Sequence, residues 1–185
     1  MLLGYDAIVI GSSAGGFAAL AEVLPRLPAA LPQTVVVVQH LHPDCGEYLV
    51  EFLGQRCALP VKEAEDKEPI LPGVIYLAAA RYHLLIERDR TFALSADDKV
   101  HYARPSIDVL FESAAAAYGS KLIGVVLTGA NADGAAGLAA IKSRGGLAVV
   151  QDPTTAEVSF MPHAALAATT VDHVLDLNAI GRLLS

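Results

Sequence analysis

Three short clusters in this sequence carry residues that could do chemistry together. The first is Gly11-Ser12-Ser13-Ala14-Gly15-Gly16, directly after the apolar run Asp6-Ala7-Ile8-Val9-Ile10, and it contains the pattern G-x-S-x-G with Ser13 at its centre. In a strand-to-helix turn, small neighbours let the backbone bend sharply and lift the serine hydroxyl above the sheet near a helix N-terminus, as a nucleophile requires. A glycine-rich turn at the same place also serves as a phosphate cradle in a nucleotide-binding module, or as a turn and nothing more. The glycine spacing matches neither G-x-G-x-x-G nor a P-loop, and no lysine follows. By itself, then, the motif leaves nucleophile, cradle and turn level.

The second cluster is Gln39-His40-Leu41-His42-Pro43-Asp44, at the end of the β-branched run Thr34–Gln39. A histidine at the carboxyl end of a buried parallel strand lies where open α/β sheets hold their ligands, so His40 could serve as general base for Ser13. An isolated histidine there is more often structural. A sharper rival is a metallohydrolase, because His40, His42 and Asp44 alternate on the chain and would face one way if extended. Pro43 and Asp44, the latter placed to cap a helix, weaken that rival by implying that the strand has already turned. The third cluster follows another apolar run, Ile123–Leu127: Thr128-Gly129-Ala130-Asn131-Ala132-Asp133-Gly134-Ala135-Ala136-Gly137. Asp133 could orient His40 and stabilise its imidazolium, or merely cap the helix that follows. Asp108 and Asp152 are the competing acids. Taken together, Ser13, His40 and Asp133 favour a Ser-His-Asp triad.

The elements that must position these residues alternate along the chain. Asp6–Ile10, Thr34–Gln39, Ile123–Leu127 and Leu147–Gln151 are continuous apolar runs, which implies strands buried on both faces of a parallel sheet. Phe17, Leu20, Ala21 and Leu24, then Tyr48, Leu49, Phe52 and Leu53, then Leu138 and Ile141 recur at helical spacing, with Gly145-Gly146 as a stop. Asp44 and Glu47 have capping-box spacing. In the middle, Val74–Ala78, His83–Glu87 and Thr91–Ser95 read as antiparallel hairpins beside the sheet. Ile107, Leu110, Phe111, Ala114 and Tyr118 make one helical stripe that begins at Pro105-Ser106. The acidic stretch Glu63–Glu68 reads as a solvated loop. The expected fold is α/β, three-layered, a mainly parallel sheet with helices on both faces and an antiparallel hairpin region. Residues 1–185 read as a single domain.

Composition excludes several classes. With 185 residues, 54% hydrophobic and 18% charged, the chain can bury a sizeable core. Its net charge of −7 gives no overall positive field for nucleic acid. No apolar run approaches the roughly 20 residues of a membrane span. Two cysteines, Cys45 and Cys57, and an N-terminus without signal-peptide character point to a reduced cytoplasm.

Ile10–Gly16, Gln39-His40, Arg104–Phe111, Leu127–Gly129 with Asp133–Gly137, and Gln151-Asp152-Pro153 with Met161-Pro162 resemble, in order and over essentially the whole chain, the catalytic domain of CheB-type chemotaxis protein-glutamate methylesterases. The resemblance implies hydrolysis of glutamate methyl esters on chemoreceptors, with glutamine deamidation in some members. It makes Ser13 the nucleophile, His40 the base and Asp133 the orienting acid, with no cofactor and no metal. Ala14 and Ala130 replace a frequent threonine and methionine, yet each keeps the backbone N–H that an oxyanion needs. Arg81, after Ala78-Ala79-Ala80, and Arg104 are the candidates for contacting the substrate. The implied partners are methylated cytoplasmic receptor helices. The receiver domain usually fused upstream is expected to be missing, since Met1 lies just before the first strand, so recruitment by a separate regulatory protein is expected.

Overall fold

The computed structural model describes residues 4–41 and 46–185. Among these residues nine strands and six α-helices follow one another as β1 (Ala7–Ser12), α1 (Gly16–Val23), β2 (Thr34–Gln39), α2 (Gly46–Gly54), β3 (Val61–Glu63), β4 (Ile75–Leu77), β5 (His83–Ile86), β6 (Phe92–Ser95), α3 (Ile107–Tyr118), β7 (Leu122–Val126), α4 (Ala135–Ser143), β8 (Leu147–Gln151), α5 (Phe160–Ala168), β9 (His173–Leu175) and α6 (Leu177–Leu184). Seven of the strands form one sheet in the order β3-β4-β2-β1-β7-β8-β9, and every pairing in it is parallel.

Strand side chains alternate between faces, and two cores result. Ile8, Ile10, Val35, Val37, Ile123 and Val125 pack with α1, α2 and α6 on one side. Ala7, Val9, Val36, Val38, Val126 and Val150 pack with α3, α4 and α5 on the other. The sheet is therefore the middle of three layers, as its continuous apolar strands predict.

Two sequence expectations need correction. Among the described strands only β5 and β6 form a hairpin; Ile75–Leu77 joins the large sheet as β4, parallel to both β2 and β3. A run of three residues carries no sign of its partner's direction, because that depends on whether the returning chain crosses over the sheet or folds back. The acidic stretch is also not all loop. Its first residue, Glu63, ends the edge strand β3, and Ala64 is buried, while Glu65 and Glu68 pair with Lys62. The expected cap Asp44 lies outside the described residues.

The hairpin packs on the α3 face, where Phe92 meets Tyr76 edge-on with ring centroids 4.9 Å apart. On that face α3 comes very close to β1. A Cβ on Gly11 would lie 2.3 Å from Ile107 Cγ2, so only glycine admits the N-terminus of α3 here. That close approach places α3 where it serves the site.

Candidate active site

The chain leaves β1 toward β2 and later returns to β7 on β1's other side, which makes a topological switch point between β1 and β7. Open α/β sheets bind ligands beyond the carboxyl ends of their strands at such a point. The segments after β1, β2 and β7 hold Ser13, His40 and Asp133 respectively.

Ser13 is the first residue past β1. Its N–H donates to Thr128 O at 3.0 Å, and its carbonyl accepts from Gly16 N at 2.8 Å. Gly15 then turns into α1 at φ 77°, a conformation that favours glycine. Ser13 is partly exposed and lines a cleft of about 560 Å³ together with His40.

Asp133 is fully buried and accepts four hydrogen bonds. His40 Nε2 lies 2.8 Å from Oδ2, which also accepts from Ile107 N at 2.7 Å. Oδ1 accepts from Ser106 Oγ at 2.8 Å and Asp108 N at 2.9 Å. The carboxylate thus sits on the N-terminus of α3, where orphan N–H groups and the helix dipole favour an anion. Burial, the largest influence, pushes its pKa up, but the bonds from His40, Asp108, Ile107 and Ser106 together bring it below the ordinary value. An ionised Asp133 can only accept, so Nε2 of His40 carries the proton and Nδ1 is left with its lone pair. A base oriented in this way can take the proton of a hydroxyl in the same cleft.

The sequence offered a cap as the bland role for Asp133. The carboxylate does cap a helix, but it is α3 and not the following α4. The α4 end is held by Asp108, whose Oδ1 accepts from Gly134 N at 2.9 Å and Gly137 N at 2.7 Å. Burial raises the Asp108 pKa, and the charge of Asp133 adds to that. His101 Nε2 lies 3.1 Å from Asp108 Oδ2. His101, Asp108 and Asp133 are close enough to suit a metal geometrically. Both carboxylates are already engaged, however, with both Asp133 oxygens and Oδ1 of Asp108 each accepting two hydrogen bonds, so the trio works as a hydrogen-bond network.

Gln39 ties the first two clusters together, a role its place at a strand end did not announce. Its Nε2 donates to Ser13 O at 2.8 Å and His40 O at 2.9 Å, and its Oε1 accepts from the buried Ser12 Oγ at 2.6 Å. A Cβ on Gly16 would lie 1.9 Å from that Oε1, which explains the second glycine of the pair. Gln39→Leu keeps the volume and removes all three bonds. It is expected to lower kcat/KM by about 100-fold, since a shift of about 1 Å in a reacting group is sufficient for that. Steady-state kinetics beside a urea melt checks it; unaltered kinetics with lowered stability would make Gln39 purely structural. Ser106 and His83 were also not singled out from sequence. Buried His83 accepts from Ser106 N at its Nδ1 and lies 3.0 Å from Asp98 O at its Nε2, fixing Ser106 under Asp133.

The remaining sequence candidates fall as follows. Ala14 and Ala130 are exposed, and neither backbone N–H has a partner among the described residues. Arg81 and Arg104 both line the cleft. Arg104 Nη1 donates to Ala96 O and Asp97 O at 2.7 and 2.9 Å. His42 and Asp44, two of the three ligands in the metal alternative, lie outside the described residues, while His40 is taken by Asp133. For the nucleotide alternative, the Glu157 side chain packs against Gly15 at the start of α1, where its charge opposes a phosphate. Asp152 holds the turn at Thr154 through the latter's N–H and hydroxyl.

Comparison with known proteins identifies the family and the fold. Residues 8–184 match the family described as CheB methylesterase. A protein of Leptospira interrogans, provisionally named protein-glutamate methylesterase/protein-glutamine glutaminase, is 52% identical over 181 residues, covering 98% of this chain and 94% of that one. A Carboxydothermus hydrogenoformans relative, named protein-glutamate methylesterase/protein-glutamine glutaminase 1, is 41% identical over 96% of this chain, which spans only 54% of its length. The crystal structure of the Thermotoga maritima CheB methylesterase catalytic domain matches with a TM-score of 0.94 at 36% identity, covering 98% of each chain.

Proposed function

The chain belongs to the CheB methylesterase family, and on that premise we propose that it hydrolyses the methyl esters of glutamyl side chains on chemoreceptors through Ser13, His40 and Asp133. The observation that carries this reading is the 2.8 Å pair of His40 with buried Asp133 behind it, His40 lining the same cleft as Ser13. Ser13 Oγ attacks the ester carbonyl carbon as its proton passes to His40 Nδ1. The developing oxyanion is met by the unpartnered N–H groups of Ala14 and Ala130. His40 returns the proton to the departing methoxide, releasing methanol and leaving an acyl-serine. Water activated by the same nitrogen then frees the glutamate. With a glutamine side chain the same steps release ammonia, which accords with the double name of the relatives.

In this reading residues 1–185 form a single catalytic domain acting in the cytoplasm on receptor helices, with a separate regulatory protein as a further partner. Among the described residues no helix is long and apolar enough to cross a membrane. The purified chain, incubated with a methylated chemoreceptor cytoplasmic fragment, is expected to release methanol, and its Ser13→Ala form is not. A serine-directed phosphonate that labels Ser13 without any methanol release would retain the hydrolase chemistry and overturn the substrate.

A further inference from the structure

The rim of the cleft is built as carefully as its floor. Val100 and Ala103 exchange both backbone hydrogen bonds, Val100 N to Ala103 O at 3.1 Å and Ala103 N to Val100 O at 2.8 Å. This closes a two-residue turn whose central residues, His101 and Tyr102, have φ of 49° and 62°. Such turns are ordinarily made of asparagine and glycine. An imidazole and a phenol ring in left-handed conformation are held here against that preference, which points to a use. The turn is tethered, with His101 paired to Asp108 and Arg104 bound to the carbonyls of Ala96 and Asp97. Tyr102 at its tip is 97% exposed, yet it lines the cleft.

Charge gives the second observation. Lys99 and Arg81 line the same cleft, both are exposed, and neither has an ion-pair partner among the described residues. No carboxylate lines the cleft among those residues, although the chain carries a net charge of −7. Asp97 and Asp98 precede Lys99 in the chain but are not part of the lining. Unpaired cations collected at one opening of an acidic protein attract an anionic segment and repel a cationic one. Ester hydrolysis at one glutamyl residue itself leaves a carboxylate, so a segment with several such positions is acidic.

We propose that Tyr102, Lys99 and Arg81 determine substrate specificity by gripping a protein segment whose target glutamyl ester is flanked by acidic residues. Tyr102 covers the apolar stem of the segment, and the two cations read the flanking carboxylates. This rests on the methylesterase reading of the floor of the cleft.

The test uses two synthetic peptides of equal length with a central glutamyl γ-methyl ester, one flanked by glutamates and one by lysines. Methanol release is expected to favour the glutamate-flanked peptide by at least about tenfold in kcat/KM at low salt, less as salt screens the charges. Arg81→Glu and Lys99→Glu are expected to collapse or invert that preference. Tyr102→Ala is expected to raise KM for the preferred peptide, and Tyr102→Phe to restore it. Equal hydrolysis of both peptides overturns the proposal. If neither is hydrolysed, titration of both peptides against the Ser13→Ala protein separates the two ideas. Tighter binding of the acidic peptide supports the grip while the methylesterase reading fails, and equal binding overturns both.

Discussion

Ser13→Ala and His40→Ala are each expected to lower ester hydrolysis by at least about 10⁴-fold, with the double variant losing hardly more than either alone. In the proposed mechanism the hydroxyl and the imidazole act as one unit: without the base the serine stays protonated, and without the serine the base has no proton to take. What is expected to survive in every variant is the contribution of the cleft and of the proposed oxyanion donors, the Ala14 and Ala130 N–H groups, which do not depend on the pair. Single-turnover methanol release from a methylated receptor fragment measures all three proteins. A double variant that falls by the product of the single effects would mean that the two residues act separately. Both side chains are partly exposed and neither fills the core, so Ser13→Ala is expected to melt close to the parent, while His40→Ala, which takes one of the four bonds from buried Asp133, is expected to melt lower but still fold. The Ser13→Ala loss then reports chemistry rather than unfolding.

Asp133→Asn is expected to cost activity and stability together. The amide keeps one carbonyl oxygen for two of the four donors, and its NH₂ faces a donor that needs an acceptor, either Ile107 N–H or the Ser106 and Asp108 pair. A buried donor left without a partner costs about 1–3 kcal/mol. If the NH₂ lies toward His40, it donates to Nε2, moves the imidazole proton to Nδ1 and removes the lone pair that should receive the Ser13 proton. A loss of about 10³–10⁴-fold in kcat follows. The two effects depend differently on pH. The Asp133 pKa is lowered in the fold, so its ionisation contributes stability above the unfolded carboxyl value of about 3.9, and that contribution is lost as pH falls through the folded value. Asp108 runs the other way: its raised pKa gives a contribution present in acid and lost as pH rises through the folded value. The stability gap between wild type and Asp133→Asn in urea melts is therefore widest near neutrality and closes in acid, where both side chains are neutral. A gap that stays constant with pH would mean that the Asp133 charge does not stabilise the fold.

The placement of the candidate residues was legible in the linear sequence because they lie at strand ends. Continuous apolar runs identify buried parallel strands, and glycine or polar residues directly after them mark where a parallel sheet presents functional groups. Ser13, His40 and Asp133 were each readable by that rule, as was the start of α3 at Ser106, whose hydroxyl accepts from Val109 N. The helix through Leu138 and Ile141 and its stop at Gly145 followed from period and glycine in the same way. These are local properties, set by a few neighbouring residues and the backbone conformations they allow.

Pairings between distant segments were decided only by the tertiary structure. Nothing near Asp133 in the chain indicates that it caps α3 while Asp108 of α3 caps α4, because each carboxylate serves N–H groups 25 to 29 residues away. The same holds for Gln39 reaching Ser12 and Ser13, for Gly11 yielding to Ile107, and for Ile75–Leu77 choosing a parallel partner. The strand order that creates the switch point is likewise a property of how the layers pack. A side chain's hydrogen-bonding partner depends on where the buried faces bring other backbones, and burial is a sum over the whole chain. Residue type in this protein states what chemistry a position can do; the packing of α3 against β1 and β7 selects which of those positions are brought together.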